Sequence, residues 1–523
     1  MLVFKLFINH IISALMKKII LSLFAASLLI CSCSEDIIDL VPIGDTEGSF
    51  FKNEEQMTMA VFALYQKNCF FYMFRGGQNN HLSAVYLLPS DDITVPSNVA
   101  CENFVQLNDG NSHLSNYYQF AYQLIARANV ILEKIETTGD DVYQLYPEEK
   151  DLHKGEALFF RGYMHMNLWN VFGIVPKATE YILDLDKAYL PNTVGTELLD
   201  QAIADFEEAA KLLPDSWDDS YRGRVTKNSA LGMRGKALIF RGTVGKSQSD
   251  FTAAISDFNA ISGRSLTATY GDNFECATEN NEESLFEYQA NQQLGNTNAY
   301  LNNDQFSVIG EIGHYIGMYV MRPSWIGNVY YRVTTPMIDA YDEGDPRRAY
   351  NFDETLASTT SNILKYTHNT IYVPGAIEEG ISTNNVRILR YADVLLLKAE
   401  AIVRSGGSLS EAIGLINQIR ERARNSDASG TPSAFPADRN VAESDRNTVL
   451  EWVFQERRLE LFAEEGHRWW DLRRRHIAGE IDLKTVDFGS LNNNFDFKDH
   501  NVNFPIPGRE VVANEFLKQN DGY

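Results

Sequence analysis

The chain has 523 residues, 46 Lys+Arg against 70 Asp+Glu, and a formal net charge of −24. Such an acidic surface repels phosphate backbones, so nucleic acid is excluded as an expected partner. Five cysteines without metal-ligand spacing exclude a disulfide scaffold, and the length alone allows two domains.

The first element in chain order is a leader. Read from Met16, "MKKIILSLFAASLLICSCSED" has Lys17 and Lys18, an apolar run Ile19–Ile30, and then small residues and acids. A membrane span needs about 20 apolar residues, so this shorter run fits a secretory signal. A signal peptidase places a small residue just before its cut. Ser32 meets that need ahead of Cys33, whereas the bulky Ile30 ahead of Cys31 does not, and Ile30-Cys31-Ser32-Cys33 resembles a bacterial lipobox. The expectation is a signal peptide over 1–32 with translation from Met16, and Cys33 as the lipid-bearing first residue of the mature chain. Several acyl chains on one anchor hold a protein on a membrane without spanning it, each buried CH₂ adding about 0.8 kcal/mol. Glu35-Asp36 resembles the surface-export signal of Bacteroidota lipoproteins. Removing 1–32 takes away Lys5, Lys17 and Lys18 and no acid, so the remainder is more acidic still.

Beyond the leader most of the chain reads as helix. In "TELLDQAIADFEEAAKLLPDS" Leu198, Ala202, Phe206, Ala209 and Leu213 recur at helical spacing before Pro214. Ala202, Phe206 and Pro214 reproduce the A-x3-F…P pattern of a tetratricopeptide second helix. The order recurs loosely as Ala128 and Leu132, Ala254 and Phe258, and Ala412 and Ile416. "RILRYADVLLLKAEAIVRSGG" sets Ile388, Ala392, Leu395, Leu396, Ala399 and Ile402 on one face. Gly406-Gly407 turns the chain, Ser408 with Glu411 forms a capping box, and Ala412, Leu415, Ile416 and Ile419 make the return stripe. The periodicity predicts a mostly all-α body on about four degenerate helix pairs near 115–176, 196–214, 227–262 and 385–424, a repeat type that exposes surface for a protein partner. Residues 69–114 and 263–385 are loop-rich, and the second is too long to be one structureless loop. Loops on a rigid frame are where ligand contacts concentrate.

Two segments look like chemistry. "ERRLELFAEEGHRWWDLRRR" (Glu456–Arg475) places Glu456 and Glu460 one helical turn apart, and a glycosidase needs two carboxylates about 5–9.5 Å apart. With Arg457, Arg458, Arg468 and Arg473 close by, the reading preferred is an ion-paired structural network, with His467, Trp469 and Trp470 as packing residues. "DAYDEGDPRR" (Asp339–Arg348) lacks the ligand spacing of an EF-hand and reads as a loop. No G-x-S-x-G, P-loop or dinucleotide fingerprint occurs, and neither a cofactor nor a metal is expected.

Several segments in order resemble the SusD/RagB family of outer-membrane nutrient-binding lipoproteins. They are "CSEDIIDLVPIGDTEGSFFKNEEQMTMAVFALYQ", "FFRGYMHMNLWNVFGIVP", "YDEGDPRR", "RYADVLLLKAEAIVR", "INQIRERAR", "ERRLELFAEEGHRWWDLRR" and "FPIPGREVVANEFLKQNDGY". The resemblance implies one helical body over 33–523 on four tetratricopeptide-like hairpins, with an N-terminal part to about 262 and a C-terminal part from 263. It implies a non-catalytic, lipid-anchored protein on the outer membrane, facing the cell exterior, that binds oligosaccharide and serves as a lid over a SusC-like TonB-dependent transporter. Aromatic faces stack on sugar C–H surfaces while amides and carboxylates reach hydroxyls. On that chemistry Trp325 is the first site residue expected, with Tyr315, Tyr319, Tyr330 and Tyr331 in "GHYIGMYVMRPSWIGNVYYRV". Asn79, Asn80 and the Asp91-Asp92 pair, Asp92 above all, are expected to add polar contacts. The rival readings are capture of peptide, a surface glycoside hydrolase using Glu456 and Glu460, and an adaptor without a small ligand.

Overall fold

The computed structural model describes residues 50–68, 71–72, 82–95, 98–184, 187–290, 331–353, 361–368, 384–490 and 495–523. The chain divides into a unit over Met1–Lys52, described only at 50–52, and a large unit over Asn53–Tyr523 that carries every element named below. Cys33 and the leader lie outside the described residues. Among the described residues, no helix is long and apolar enough to cross a membrane.

The large unit is mostly helical. Its principal helices are α1 (Glu54–Asn68), α2 (Ser112–Val142), α3 (Pro147–Phe172), α4 (Glu197–Leu212), α5 (Lys227–Gly245), α6 (Gln248–Ala260), α7 (Tyr391–Arg404), α8 (Leu409–Asn425), α9 (Arg446–Glu460) and α10 (His467–Ile477). They stack in chain order as four degenerate tetratricopeptide-like hairpins, α1 with α2, α3 with α4, α5 with α6 and α7 with α8.

What sets this pairing is a small residue on one helix against a large one on the next. A Cβ on Gly162 of α3 would stand 3.2 Å from the Ala202 carbonyl oxygen and 3.3 Å from the Phe206 ring of α4. Gly235 of α5 lies closer still to the Phe258 ring of α6. Ala202, Ala254, Phe206 and Phe258, the residues of the repeat pattern, are all buried. The boundaries differ from the periodicity-based expectation in one respect. The stretch 196–214 is a single helix, α4, and pairs with α3, whereas 115–176 holds two helices of neighbouring hairpins. Continuous packing of every helix on both chain neighbours gives the same apolar periodicity for either grouping.

The apolar faces expected over 385–424 form the core of the C-terminal hairpin. Ala392, Leu395, Leu396, Ala399 and Ile402 of α7 meet Ala412, Ile416 and Ile419 of α8, with Val449 and Val453 of α9 closing the layer. Each Leu or Ile buried there contributes roughly 1.5–3 kcal/mol. Gly406, at φ 80°, makes the turn in a backbone region that favours glycine. Ser408 caps α8 by accepting from the Glu411 backbone N–H at 3.3 Å.

The stretch 263–385 is not one loop. It contributes β2 (Ser284–Tyr288), which pairs antiparallel with β6 (Val386–Arg390). It also carries β3 (Arg332–Val333), β4 (Phe352–Asp353) and β5 (Ser361–Ile363), which join β1 (Ile93–Thr94) in an antiparallel sheet of order β1-β3-β5-β4. In "DAYDEGDPRR" the residues from Pro346 begin a short helix capped by Asp345, which accepts from the Arg347 N–H at 3.0 Å.

Candidate functional site

The charged helix α9 faces inward. Glu456 and Glu460 are fully buried, and every carboxylate oxygen meets an arginine. Glu456 accepts from Arg347 and Arg420, both at 2.7 Å. Glu460 accepts from Arg347 at 3.1 Å, from Arg390 at 3.2 Å and from Arg422. Arg390 also binds Glu283 and, at 2.6 Å, Glu464. Burial alone would raise Glu283, but Arg422 and Arg390 hold it at about 2. No substrate can reach a carboxylate pair sealed and saturated in this way, so Glu456 and Glu460 are frame residues.

The partners differ from the local arginines expected. Arg457 binds Asp471 and Asp393, both at 2.6 Å, Arg458 binds Asp92 at 2.7 Å, and Arg468 grips Asp91 at 2.7 and 2.8 Å. Among the described residues no carboxylate pairs with Arg473. It donates to the Val502 carbonyl and Asn503 and lies 4.4 Å over the Trp169 ring. His467 is buried and accepts from Lys236 through Nδ1 at 2.9 Å, and burial drives its imidazole down to about 3. Trp469 and Trp470 are in the core.

Of the residues expected to bind ligand, Asn79, Asn80, Tyr315, Tyr319, Trp325 and Tyr330 lie outside the described residues. Tyr331 is buried, its hydroxyl 2.7 Å from that of Ser83. Asp92 is buried against Arg458. Neither stands at an open surface. The described chain on either side of residues 73–81 and 291–330 meets in pairs: Tyr72, just before the first, stacks on Tyr288, just before the second, with centroids 5.3 Å apart and planes 23° apart. Beyond the same two segments Ser83 meets Tyr331, and Ile93 of β1 pairs with Val333 of β3. Tyr72 also donates to Glu465 at 2.5 Å, whose carboxyl is pushed up to about 7 by burial.

Two concavities among the described residues were not found by the sequence reading. The first, of about 390 Å³, lies between the turn joining α4 to α5 and strand β2. Its wall carries Trp217, Arg222, Arg224 and Arg264. Arg224 lies 3.7 Å over the Trp217 ring and pairs with the buried Glu156, and the indole N–H donates to the Val225 carbonyl at 2.9 Å. The turn comes close to β2 because Gly223, at φ 104°, has no side chain; a Cβ there would stand 2.5 Å from Gln289. The one available signal is "SWDDSYRGR", an aromatic and arginines beside a glycine between two strong helices. The second, of about 520 Å³, is a more apolar groove along α2 lined by Tyr118, Tyr122, Tyr181 and Tyr189.

Among the described residues, one group has a donor set suited to a cation. Glu54, Glu149 and His153 bring their ligand atoms within 4.8 Å of one another. The His153 ring is already engaged, by Tyr143 at Nδ1 (2.8 Å) and Thr58 at Nε2 (3.2 Å).

Comparison with known proteins covers the chain nearly end to end. The SusD family profile matches residues 348–523, and a profile described as starch-binding associating with outer membrane matches 75–239. SusD-like protein P2 of Formosa agariphila is 26% identical, over 97% of this chain and 100% of its own length. A SusD homolog from Bacteroides thetaiotaomicron superposes with a TM-score of 0.73 at 20% identity, over 92% of this chain and 99% of that one. Surface glycan-binding protein A of the same organism, solved with laminarihexaose, gives 0.68 at 19% identity, over 90% and 99%. The two profile matches and the SusD-like relatives that span nearly the whole chain place it in the SusD/RagB family.

Proposed function

We propose that this protein is a cell-surface lipoprotein, anchored through Cys33 after removal of residues 1–32, that captures oligosaccharide and delivers it uncut to a SusC-like TonB-dependent transporter. The observation that carries the reading is the likeness, over nine-tenths of the chain, to glycan-binding proteins of the same fold, one of them solved with its oligosaccharide. Further support comes from the paired flanks. Tyr72 with Tyr288, and Ser83 with Tyr331, tether the ends of the two segments that contain Asn79-Asn80 and Trp325. The proposed ligand face is built by those segments, with Trp325 and tyrosines 315, 319 and 330 as ring platforms. Tyr331 and Asp92, both buried, support it through the chain that flanks those segments. The body runs from 33 to 523 in two parts that divide near residue 262.

The test is calorimetric titration of the purified protein against plant, host-mucin and microbial oligosaccharides, with a peptide digest alongside. Saturable binding of one glycan class, weakened about tenfold or more by Trp325→Ala with the sugar recovered intact, is the expected result. Heat from the digest alone moves the protein to peptide capture, and shortened sugar products overturn the non-catalytic reading. Silence with every ligand favours an adaptor.

A further inference from the structure

The wall of the smaller cavity contains a cation that no carboxylate pairs with among the described residues. Arg264, half-buried just after α6, makes one long hydrogen bond, from Nη1 to the Asn281 carbonyl at 3.4 Å, and no carboxylate pairs with it among the described residues. Burial pulls its guanidinium below the usual arginine range, with only the more distant Glu287 opposing. A guanidinium held partly out of water costs free energy unless an anion meets it. Every other charge on this wall is already committed or exposed. Arg224 is clamped by Glu156 and Trp217, Arg222 reaches Asp219 at 2.5 Å from a largely exposed position, and Glu287 accepts from the Asn280 backbone and Asn385. Glu282, on the rim, is exposed. The same wall carries Trp217, half-buried, with Arg224 over its ring.

We propose that this cavity is a second binding site that takes an acidic sugar residue, with Arg264 forking onto a carboxylate or sulfate and Trp217 flanking the ring. The planar guanidinium offers two parallel donors to either anion, a geometry an ammonium lacks. A volume of about 390 Å³ accommodates one or two sugar rings. The fixed turn gives the site its shape before ligand arrives, because Gly223 locks it against Gln289. The inference rests on the glycan-capture reading above and narrows it to glycans carrying acid groups.

The experiment is a titration of the purified protein with paired probes that differ only in charge. Trigalacturonate is compared with its methyl ester, and a sulfated galactan tetrasaccharide with its desulfated form. The expected result is at least tenfold tighter binding of one acidic probe, which also identifies carboxylate or sulfate as the anion. Arg264→Gln should abolish that preference, Arg264→Lys should restore part of it, and Glu282→Gln, which removes a rim charge, should strengthen it. Trp325→Ala should leave the preference intact. Equal binding of charged and uncharged probes, or a preference that survives Arg264→Gln, overturns this inference and leaves glycan capture standing. So does failure of both acids while neutral glycans bind. Silence with every sugar overturns both.

Discussion

At the scale of single residues, Glu460 separates an active-site reading from a frame reading most sharply. Three arginines from three distant segments, Arg347, Arg390 and Arg422, converge on one fully buried carboxylate. Removing one member of such a group leaves its partners charged and uncompensated in the interior, which costs about 3–5 kcal/mol. Glu460→Gln is therefore expected to lower unfolding stability by that amount, read as a shift of the urea midpoint at unchanged slope. A loss under about 1 kcal/mol with the fold intact would mean that Glu460 is dispensable to the frame. From the sequence, the crowding of arginines around Glu456 and Glu460 correctly favoured ion pairing. The identity of the partners was not legible, because i,i+4 spacing along one helix looks the same whether the charges meet each other or reach across the core. Arg457, Arg458 and Arg468 instead serve Asp471, Asp92 and Asp91. Asp92 shows the same limit from the other side. An acid in a polar loop reads as a ligand contact until the arginine that covers it is seen.

At the scale of elements, the repeat pattern was readable because it is a packing rule. Ala and Phe four residues apart on one helix call for a small residue opposite, and Gly162 and Gly235 supply it. The number of hairpins followed from that rule, while the grouping of 115–176 and 196–214 did not, since α3 buries one face on α2 and another on α4. The rule can be tested at Gly235. A valine there must displace the Phe258 ring, and forcing extra methyl groups into a filled contact costs about 1–3 kcal/mol. Gly235→Val is expected to destabilise by that much even though valine is the better helix former. Phe258→Ala alone should also destabilise, by opening a cavity, and the double variant should be more stable than the sum of the two losses predicts. Additive losses would show that the two positions are not in contact. The Trp217 cavity was illegible for the complementary reason. Its walls come from the α4–α5 turn, the residues after α6 and strand β2, and no local pattern announces their meeting.

At the scale of the whole molecule, the buried charges set how stability depends on pH. Three fully buried histidines, His153, His165 and His467, are driven by burial from 6.5 to about 3. They stay neutral in the fold where the unfolded chain protonates, so their contribution is complete above pH 6.5 and is lost as pH falls toward 3. Glu283 and Asp471 act in the same direction. Burial opposes their charge, but Arg422 with Arg390, and Arg457 with Arg474, hold both at about 2, so their contribution fades from about pH 4.5 down to 2. Glu465 and Glu279, raised by burial to about 7, and Asp257, raised to about 6, work oppositely: the fold keeps their protons, and their contribution is complete below about pH 4 and lost as pH rises to 7. Between about pH 5 and 6.5 the histidine and raised-carboxyl effects nearly cancel, which predicts a plateau. Below pH 4.5 the raised carboxyls no longer compensate, and unfolding takes up about three protons net from these groups, a slope of ~4 kcal/mol per pH unit. Urea midpoints measured from pH 3 to 7.5 should therefore be level in the upper part of the plateau and collapse below 4.5. His153→Gln and His467→Gln should each make the collapse shallower by removing one proton taken up on unfolding. A profile that stays flat down to pH 3 would show that these side chains titrate alike in the folded and unfolded chain, and that the sealed charge frame does not exist in solution.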